Sequence, residues 1–360
     1  MLNAAIISAI EDFAPPSFQE SWDNTGIQVG SLRAECTGVL LCVDVTPDIV
    51  DEAKSRGCNL IISHHPLLFH GLKRISGNTP VEEAVIRAIA AGITIYSCHT
   101  SVDSTPGGVS YRMAQMLGAS PVRVLSPLTG RLTRISAIVT PESADTALTT
   151  FNEIAPKVQC FRSTTERYNA AIASDDPFAS ADISSVPCVR IEATVDTAVA
   201  KRLADALGQT ISYGLLAVVT QPMADTDPSV GLGILATFND DEKISPLQLI
   251  ERVKKTFNSP VARCSTIPDE DIVIRRVAMC GGSGSEFISA AIRGGAQAFI
   301  TSDTRYHDFV NFGNNILIID IGHFESEYCT KEIYYNVICK KFPNLACYYS
   351  QIEENPIKYI

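Results

Sequence analysis

Along the chain, short β-branched apolar runs alternate with amphipathic stretches. TGVLLCVDVT (37–46) reads as a strand. PDIVDEAKSRG behind it reads as a helix, with Pro47 suited to the first turn and Gly57 to the end. NLIISHHP then closes a strand–helix–strand unit. VEEAVIRAIAAG, GITIYSCHTSVDS and GGVSYRMAQMLG add a helix, a strand and a helix. Such alternation predicts an α/β fold, a mostly parallel sheet with helices on both faces. The opening MLNAAIISAIEDFAPP reads as an amphipathic helix; it has no basic leading region and carries Glu11 and Asp12, unlike a signal peptide.

The pattern breaks near SPLTG (126–130) and returns only after residue 230. Between them come RISAIVT (strand), ESADTALTTFNEIA (helix), an irregular stretch through Ser185, VPCVRIEATVD (strand), TAVAKRLADALG (helix) and SYGLLAVVTQ (strand). That order resembles a ferredoxin-like, PII/CutA-like α+β module, of a size that folds as a domain. Behind it VIRRVAMCGGSGSEFISAAIRGG (273–295), AQAFITSDTRYHD (296–308) and NILIIDIGHFESEY (315–328) each begin with a strand. The expected division is 1–130 and 225–360 as two halves of one α/β core, with 131–224 inserted between them.

At 360 residues, about two domains are expected. A composition of 46% hydrophobic and 19% charged residues is that of a soluble globular protein. No apolar run reaches the roughly 18 residues of a membrane span. The 11 cysteines are odd in number, form no CxxC pair and sit partly in strand-like runs, so reduced thiols in a cytoplasmic protein are expected. A net charge of -11 disfavours nucleic acid as partner.

Five strand-like runs end in chemistry: HHP, CHTSVD, CGGSGS, TSDTRYHD and DIGHFESE. In α/β sheets the carboxyl ends of the strands form one rim, where ligands bind. Of the six histidines, His64, His65, His99, His307 and His323 sit at those ends, His70 lies just behind, and none falls in the inserted segment. Neighbouring residues of an extended strand point to opposite faces, so His64 and His65 more naturally serve two different ions than one. His323 and Glu327, four apart, share one face of a helix beginning there. Asp103 adds a carboxylate four residues after His99. Three imidazoles and two carboxylates suit Zn, Fe, Mn or Co, and so few ligands for two ions leave positions open for chemistry. Taken singly, each feature also has a plain reading. HHP can be a capped strand end, HxxxE a solvated helix face, and CGGSGS a tight turn in place of a phosphate loop.

SWDNTGIQVG, ISHHPLLF, HTSVDS, CGGSGS, FITSDTRYHD and GHFESE, in this order, resemble the GTP cyclohydrolase 1 type 2 homologs. The inserted segment is similar to the PII-like insert of that family's longer members, except in VQCFRSTTERYNAAIAS, which departs from it. The resemblance implies a two-metal site held by His64, His65, Asp103, His323 and Glu327, and a toroidal homohexamer. It makes His99 and His307 candidates for proton transfer or for support of the ligands, and leaves Asp23 and Asn24 to hold the rim loop or touch a ligand. The function expected is a dinuclear metal-dependent hydrolase acting on a small phosphorylated or nucleotide-like substrate. The competing expectation is a non-catalytic metal- or metabolite-binding protein with the insert as sensor.

Overall fold

A computed structural model describes residues 1–130, 132–156, 158–171, 183–223, 228–267 and 269–360. The chain forms two compact units, Met1–Leu128 together with Pro228–Ile360, and Thr129–Asp227. The strands of the first stretch are β1 (Gly26–Val29), β2 (Val39–Cys42), β3 (Leu60–Ser63), β4 (Thr94–Ser97) and β5 (Ser120–Pro127). The Thr129–Asp227 unit holds β6 (Leu132–Val139), β7 (Phe161–Ala171), β8 (Ile183–Asp196) and β9 (Leu215–Pro222). The chain then adds β10 (Gly231–Thr237), β11 (Arg263–Cys264), β12 (Arg276–Ser283), β13 (Ala298–Ser302), β14 (Leu317–Asp320) and β15 (Cys347–Tyr349).

The fold is mixed α/β, with two sheets in the larger unit where one was expected. The first runs β1-β4-β3-β2-β15 and the second β11-β14-β13-β12-β10-β5. β15, β2, β3 and β4 are parallel, as are β12, β13 and β14. The remaining strands pair antiparallel: β1 on β4, β11 on β14, β10 on β12 and β5 on β10. β5 and β10 account for much of the difference from expectation. The chain leaves this unit along one and returns along the other, so the two pair as a long-range hairpin and need no crossover helix.

Alternate residues of each central strand face different layers, as the period of two requires. Leu41, Ile62 and Tyr96 of the first sheet share one core with Met279, Ile300 and Ile319 of the second. Their neighbours Leu40, Ile61 and Ile95 face the helices Pro47–Ser55 and Pro80–Ala91, through Ile49, Ala53, Ala84 and Ala88. Ala278, Phe299 and Ile318 likewise cover Ile288 and Ala291 of the helix Ile288–Arg293. Strands buried on both faces explain continuous apolar runs such as VLLC and LIIS. Thr46 and Thr79 cap the two helices of the first sheet, each with a proline at the first position.

In the smaller unit the strand order is β7-β8-β6-β9, all antiparallel. Ile135, Ala137 and Val139 pack with Phe151, Leu203 and Leu207 of the helices Ala144–Ile154 and Thr197–Thr210. The stretch expected to be irregular through Ser185 contains β7, and residues 172–182 of it lie outside the described residues. Its run FRSTTERYN is polar and lacks the alternation that marks a half-buried strand, which is why β7 was not legible. No helix among the described residues is long and apolar enough to cross a membrane.

Candidate metal centre

The parallel strands of both sheets bring their carboxyl ends to one place in the larger unit. Past the end of β3, His64 and His65 continue the pairing with the β2 end, their N–H groups donating to the carbonyls of Cys42 (3.2 Å) and Val43 (2.9 Å). The hydroxyls of Ser63 and Ser97 lie 2.7 Å apart, both in reach of the His65 carbonyl, and so fix the chain at this point. His64 is fully buried, with Nδ1 3.4 Å from the Tyr334 hydroxyl, which donates to the Cys98 carbonyl. From the second sheet, β14 leads through Gly322 into the short helix His323–Glu327.

Glu327 sits between the two histidine arms. Its Oε1 is 3.4 Å from His64 Nε2, and that nitrogen is 3.9 Å from Asp103 Oδ1. Its Oε2 is 3.0 Å from both His65 Nε2 and His323 Nε2, which are 3.3 Å from each other. The adjacent histidines thus face one carboxylate, each on a different oxygen. Two groupings bring donor atoms close enough to share an ion: His64, His65 and His99, and His65, His323 and Glu327.

Three of these imidazoles are held from behind by a carboxylate. His65 Nδ1 lies 2.8 Å from Asp44, His99 Nδ1 2.8 Å from Asp23, and His323 Nδ1 2.6 Å from Asp303. A proton on Nδ1 donated to the carboxylate leaves the Nε2 lone pair free for a cation. His64 Nε2, Asp103 Oδ1 and Glu327 Oε2 are buried without a well-formed hydrogen bond. Buried polar atoms are ordinarily satisfied, so convergent orphans of this type fit divalent cations.

The electrostatics agree with that fit. Burial pushes His64 down to about 4. For His65 burial opposes the charge, but Asp44 and Glu327 outweigh it and raise the ring to about 10. His323 is raised to about 9 in the same way, against burial, by Glu327 and Asp303. Burial and then the Glu327 charge hold the Asp103 carboxyl well above the usual carboxylate range. Glu327 stays well below that range despite burial, held by His64, His323 and His65. Metal ions would displace the protons that these groups share.

The glycine-rich turn CGGSGS serves this centre. A Cβ on Gly282, whose φ is +64°, would fall on Glu327 Oε1, and the Gly282 N–H donates to Ser326 Oγ at 2.9 Å. Asp23 holds the rim loop: besides His99 it accepts from the Thr100 N–H (3.0 Å) and the Thr25 hydroxyl (3.1 Å). Asn24 Nδ2 donates to the Leu68 carbonyl at 2.7 Å. His307 is not brought to the centre. It lies exposed on the helix Tyr306–Phe312 with its ring against Tyr306. His70 is exposed too. Asp44, Asp303 and Tyr334 were not foreseen. For the two aspartates a signal existed: each follows a strand by one or two residues, beside the strand that carries a histidine.

Over the centre lies a pocket of about 430 Å³, lined among others by Trp22, Phe69, His99, Leu232, Glu286 and Phe287. Among the described residues no lysine or arginine lines it.

Fold and cluster together define a mixed α/β protein whose buried histidines and carboxylates can hold metal. The family model for Duf34/NIF3 (NGG1p interacting factor 3) matches residues 1–356, and the chain belongs to that family. A Bacillus subtilis protein called GTP cyclohydrolase 1 type 2 homolog is 27% identical, over 99% of this chain and 98% of its own. The protein of that name from Halalkalibacterium halodurans is 29% identical over 88% and 87%. Among solved structures, Staphylococcus aureus protein SA1388 superposes with a TM-score of 0.79 at 26% identity, covering 100% of this chain and 99% of that one. The fold also extends to reduced HcgD from Methanocaldococcus jannaschii, with a TM-score of 0.58 at 15% identity over 98% of each chain.

Proposed function

We propose that this chain is a dinuclear divalent-metal-dependent hydrolase acting on a small phosphorylated or nucleotide-like substrate. The observation that carries the reading is the placement of Glu327, with one carboxylate oxygen toward His64, itself beside Asp103, and the other toward His65 and His323. A carboxylate can bridge two cations, whereas an imidazole nitrogen serves one. His64, His65, Asp103, His323 and Glu327 are the ligands in this reading. Bound divalent cations supply Lewis-acid polarisation and acidify a water for attack. His99, backed by Asp23 on the pocket wall, is the group placed to carry a proton to or from substrate. His307 takes no part.

The strand order β7-β8-β6-β9 and its two helices support reading the inserted unit as a ferredoxin-like, PII/CutA-like module. Assembly as a toroidal homohexamer belongs to the same proposal. Elemental analysis of the purified protein is expected to give close to two divalent ions per chain, and hydrolysis of small phosphoesters or nucleotides is expected to require them. One ion that survives both His64→Ala and His65→Ala would overturn the dinuclear reading. Full occupancy with no turnover across such substrates would favour a metal- or metabolite-binding protein in place of a hydrolase.

A further inference from the structure

Two large aromatic side chains stand in solvent at the mouth of the pocket. Trp22 is 58% and Phe69 44% exposed, and their ring centroids are 6.0 Å apart, tilted by 54°. His99 is edge-on to both, at 5.8 Å from Trp22 and 6.3 Å from Phe69. The three rings make a cup whose base is a group already assigned to the centre. Leaving so much aromatic surface wet is unfavourable unless something covers it.

The two loops that present these rings are fixed to each other. Leu68, beside Phe69, is held at both backbone groups: its carbonyl accepts from Asn24 Nδ2 at 2.7 Å and its N–H donates to Gln28 Oε1 at 3.1 Å. Gln28 Nε2 returns to the carbonyls of Asn24 (2.7 Å) and Gly26 (3.1 Å). Asp23, next to Trp22, is anchored to His99 and Thr100. Trp22 and Phe69 are therefore exposed on loops built to hold them in place. The rest of the lining adds apolar Leu232 and Phe287, and the exposed carboxylate of Glu286, which has no salt bridge among the described residues. Among the described residues that line the pocket there is no lysine or arginine to offer a phosphate a cation.

Resting on the hydrolase reading above, we infer that Trp22 and Phe69 seat a planar, nitrogen-containing aromatic ring of the substrate, whose amino group Glu286 accepts. In this inference the protein recognises the ring, and any phosphate is left to the metal ions. A planar ring lies against Trp22 or Phe69 and turns its edge toward His99. Its exocyclic N–H donors match a carboxylate, which only accepts.

Trp22 is the only tryptophan in the chain, so its fluorescence reports on this place alone. Metal-loaded, full-length protein is titrated with adenosine, guanosine, inosine and ribose 5-phosphate, with binding measured in parallel by equilibrium dialysis. The expected result is quenching and binding by an amino-bearing nucleoside and none by ribose 5-phosphate at the same concentration. Phe69→Ala is expected to weaken nucleoside binding by about tenfold, the usual scale for losing one base-stacking ring. Glu286→Gln is expected to shrink the preference of guanosine over inosine. The inference fails if no nucleoside binds, or if Phe69→Ala binds nucleosides as well as wild type. It also fails if Phe69→Ala alters only the assembly state in sedimentation, since the rings would then belong to contact between copies. Metal content and phosphoester hydrolysis on the same samples separate the two readings. Nucleoside binding without turnover sinks the hydrolase and leaves the ring seat standing. Turnover that Phe69→Ala does not change, with no nucleoside bound, sinks the ring seat alone.

Discussion

The two sheets of the larger unit solve the same problem twice, with different degrees of backing. In each, an aspartate lies just past one parallel strand and a histidine just past the next: Asp44 after β2 and His65 after β3, Asp303 after β13 and His323 after β14. Both aspartates are about half exposed, yet their supports differ. The Val43 and Asp44 N–H groups donate to Glu353 Oε1, at 2.6 and 3.0 Å, and Glu353 is paired with the buried Lys331. Asp303 instead sits at a φ of +55°, and among the described residues no buried charge pair anchors its turn. The first sheet also contributes the fully buried His64 and the half-buried Asp103, while the second contributes Glu327, which reaches both arms. A loss at Glu327 is therefore shared by both arms, whereas a loss at Asp44 or Asp303 is private to one.

The shared residue should give the largest effect. Glu327→Gln keeps the size but removes one anionic oxygen from the place where both arms converge. Loss of at least one ion and of hydrolysis is expected, beyond the roughly 10–100-fold that removal of an outer partner costs in metal affinity. Metal content and turnover beside wild type check it. Full occupancy with full activity would remove Glu327 from the centre and with it the symmetry of the two arms.

Gly282→Ala should come next, because it acts on Glu327 through space. The new methyl meets Oε1, and a φ of +64° is strained for any residue with a Cβ. A stability loss of about 1–3 kcal/mol with weakened metal binding is expected. Denaturant unfolding and metal titration test both halves of that statement. An unchanged metal affinity would mean that CGGSGS is only a tight turn.

The arms themselves can be weighed by Asp44→Asn against Asp303→Asn. Each changes the hydrogen bond that sets a histidine tautomer, so a loss of roughly 10–100-fold in metal affinity is the scale. Asp44→Asn is expected at the upper end, since its backbone is pinned and cannot shift to compensate. Asp303→Asn is expected at the lower end, as Asn tolerates a positive φ well. Competition titrations with a chelator would rank the two. The reverse order would show that the second sheet, and not the first, sets affinity.

Much of this was legible in the chain. Strand–helix alternation announced the α/β unit, and the two compact units part between Leu128 and Thr129, within SPLTG. The histidines stood out because they gather at strand ends, a pattern set by topology and visible without coordinates. The second sheet was not legible. β5 and β10 pair across the whole inserted unit, and a pairing of that separation leaves no local signal. Nor were Asp44 and Asp303 foreseen as partners, because which carboxylate stands behind an imidazole depends on strand order. His307 shows the opposite case: it shares a motif with Asp303 but falls on the helix beyond, where its ring turns to Tyr306.

Glu325→Gln should have the smallest effect and thereby mark the edge of the centre. Glu325 lies between His323 and Glu327 in sequence, but two residues along a helix is a turn of about 200°, away from their face. Its Oε1 accepts from Asn355 Nδ2 at 2.8 Å, and it lines a different cavity, with Phe257, Tyr328 and Tyr359. Its Oε2 is buried without a partner, so the charge there gains little from its surroundings. Glutamine keeps the acceptor that Asn355 needs and removes the unsatisfied charge. Metal content and turnover are therefore expected within about twofold of wild type, with a melting temperature that is equal or slightly higher. If Glu325→Gln instead loses an ion, the helix His323–Glu327 is presenting three residues to the metals, and the assignment of Glu327 as the one carboxylate joining the two sheets falls.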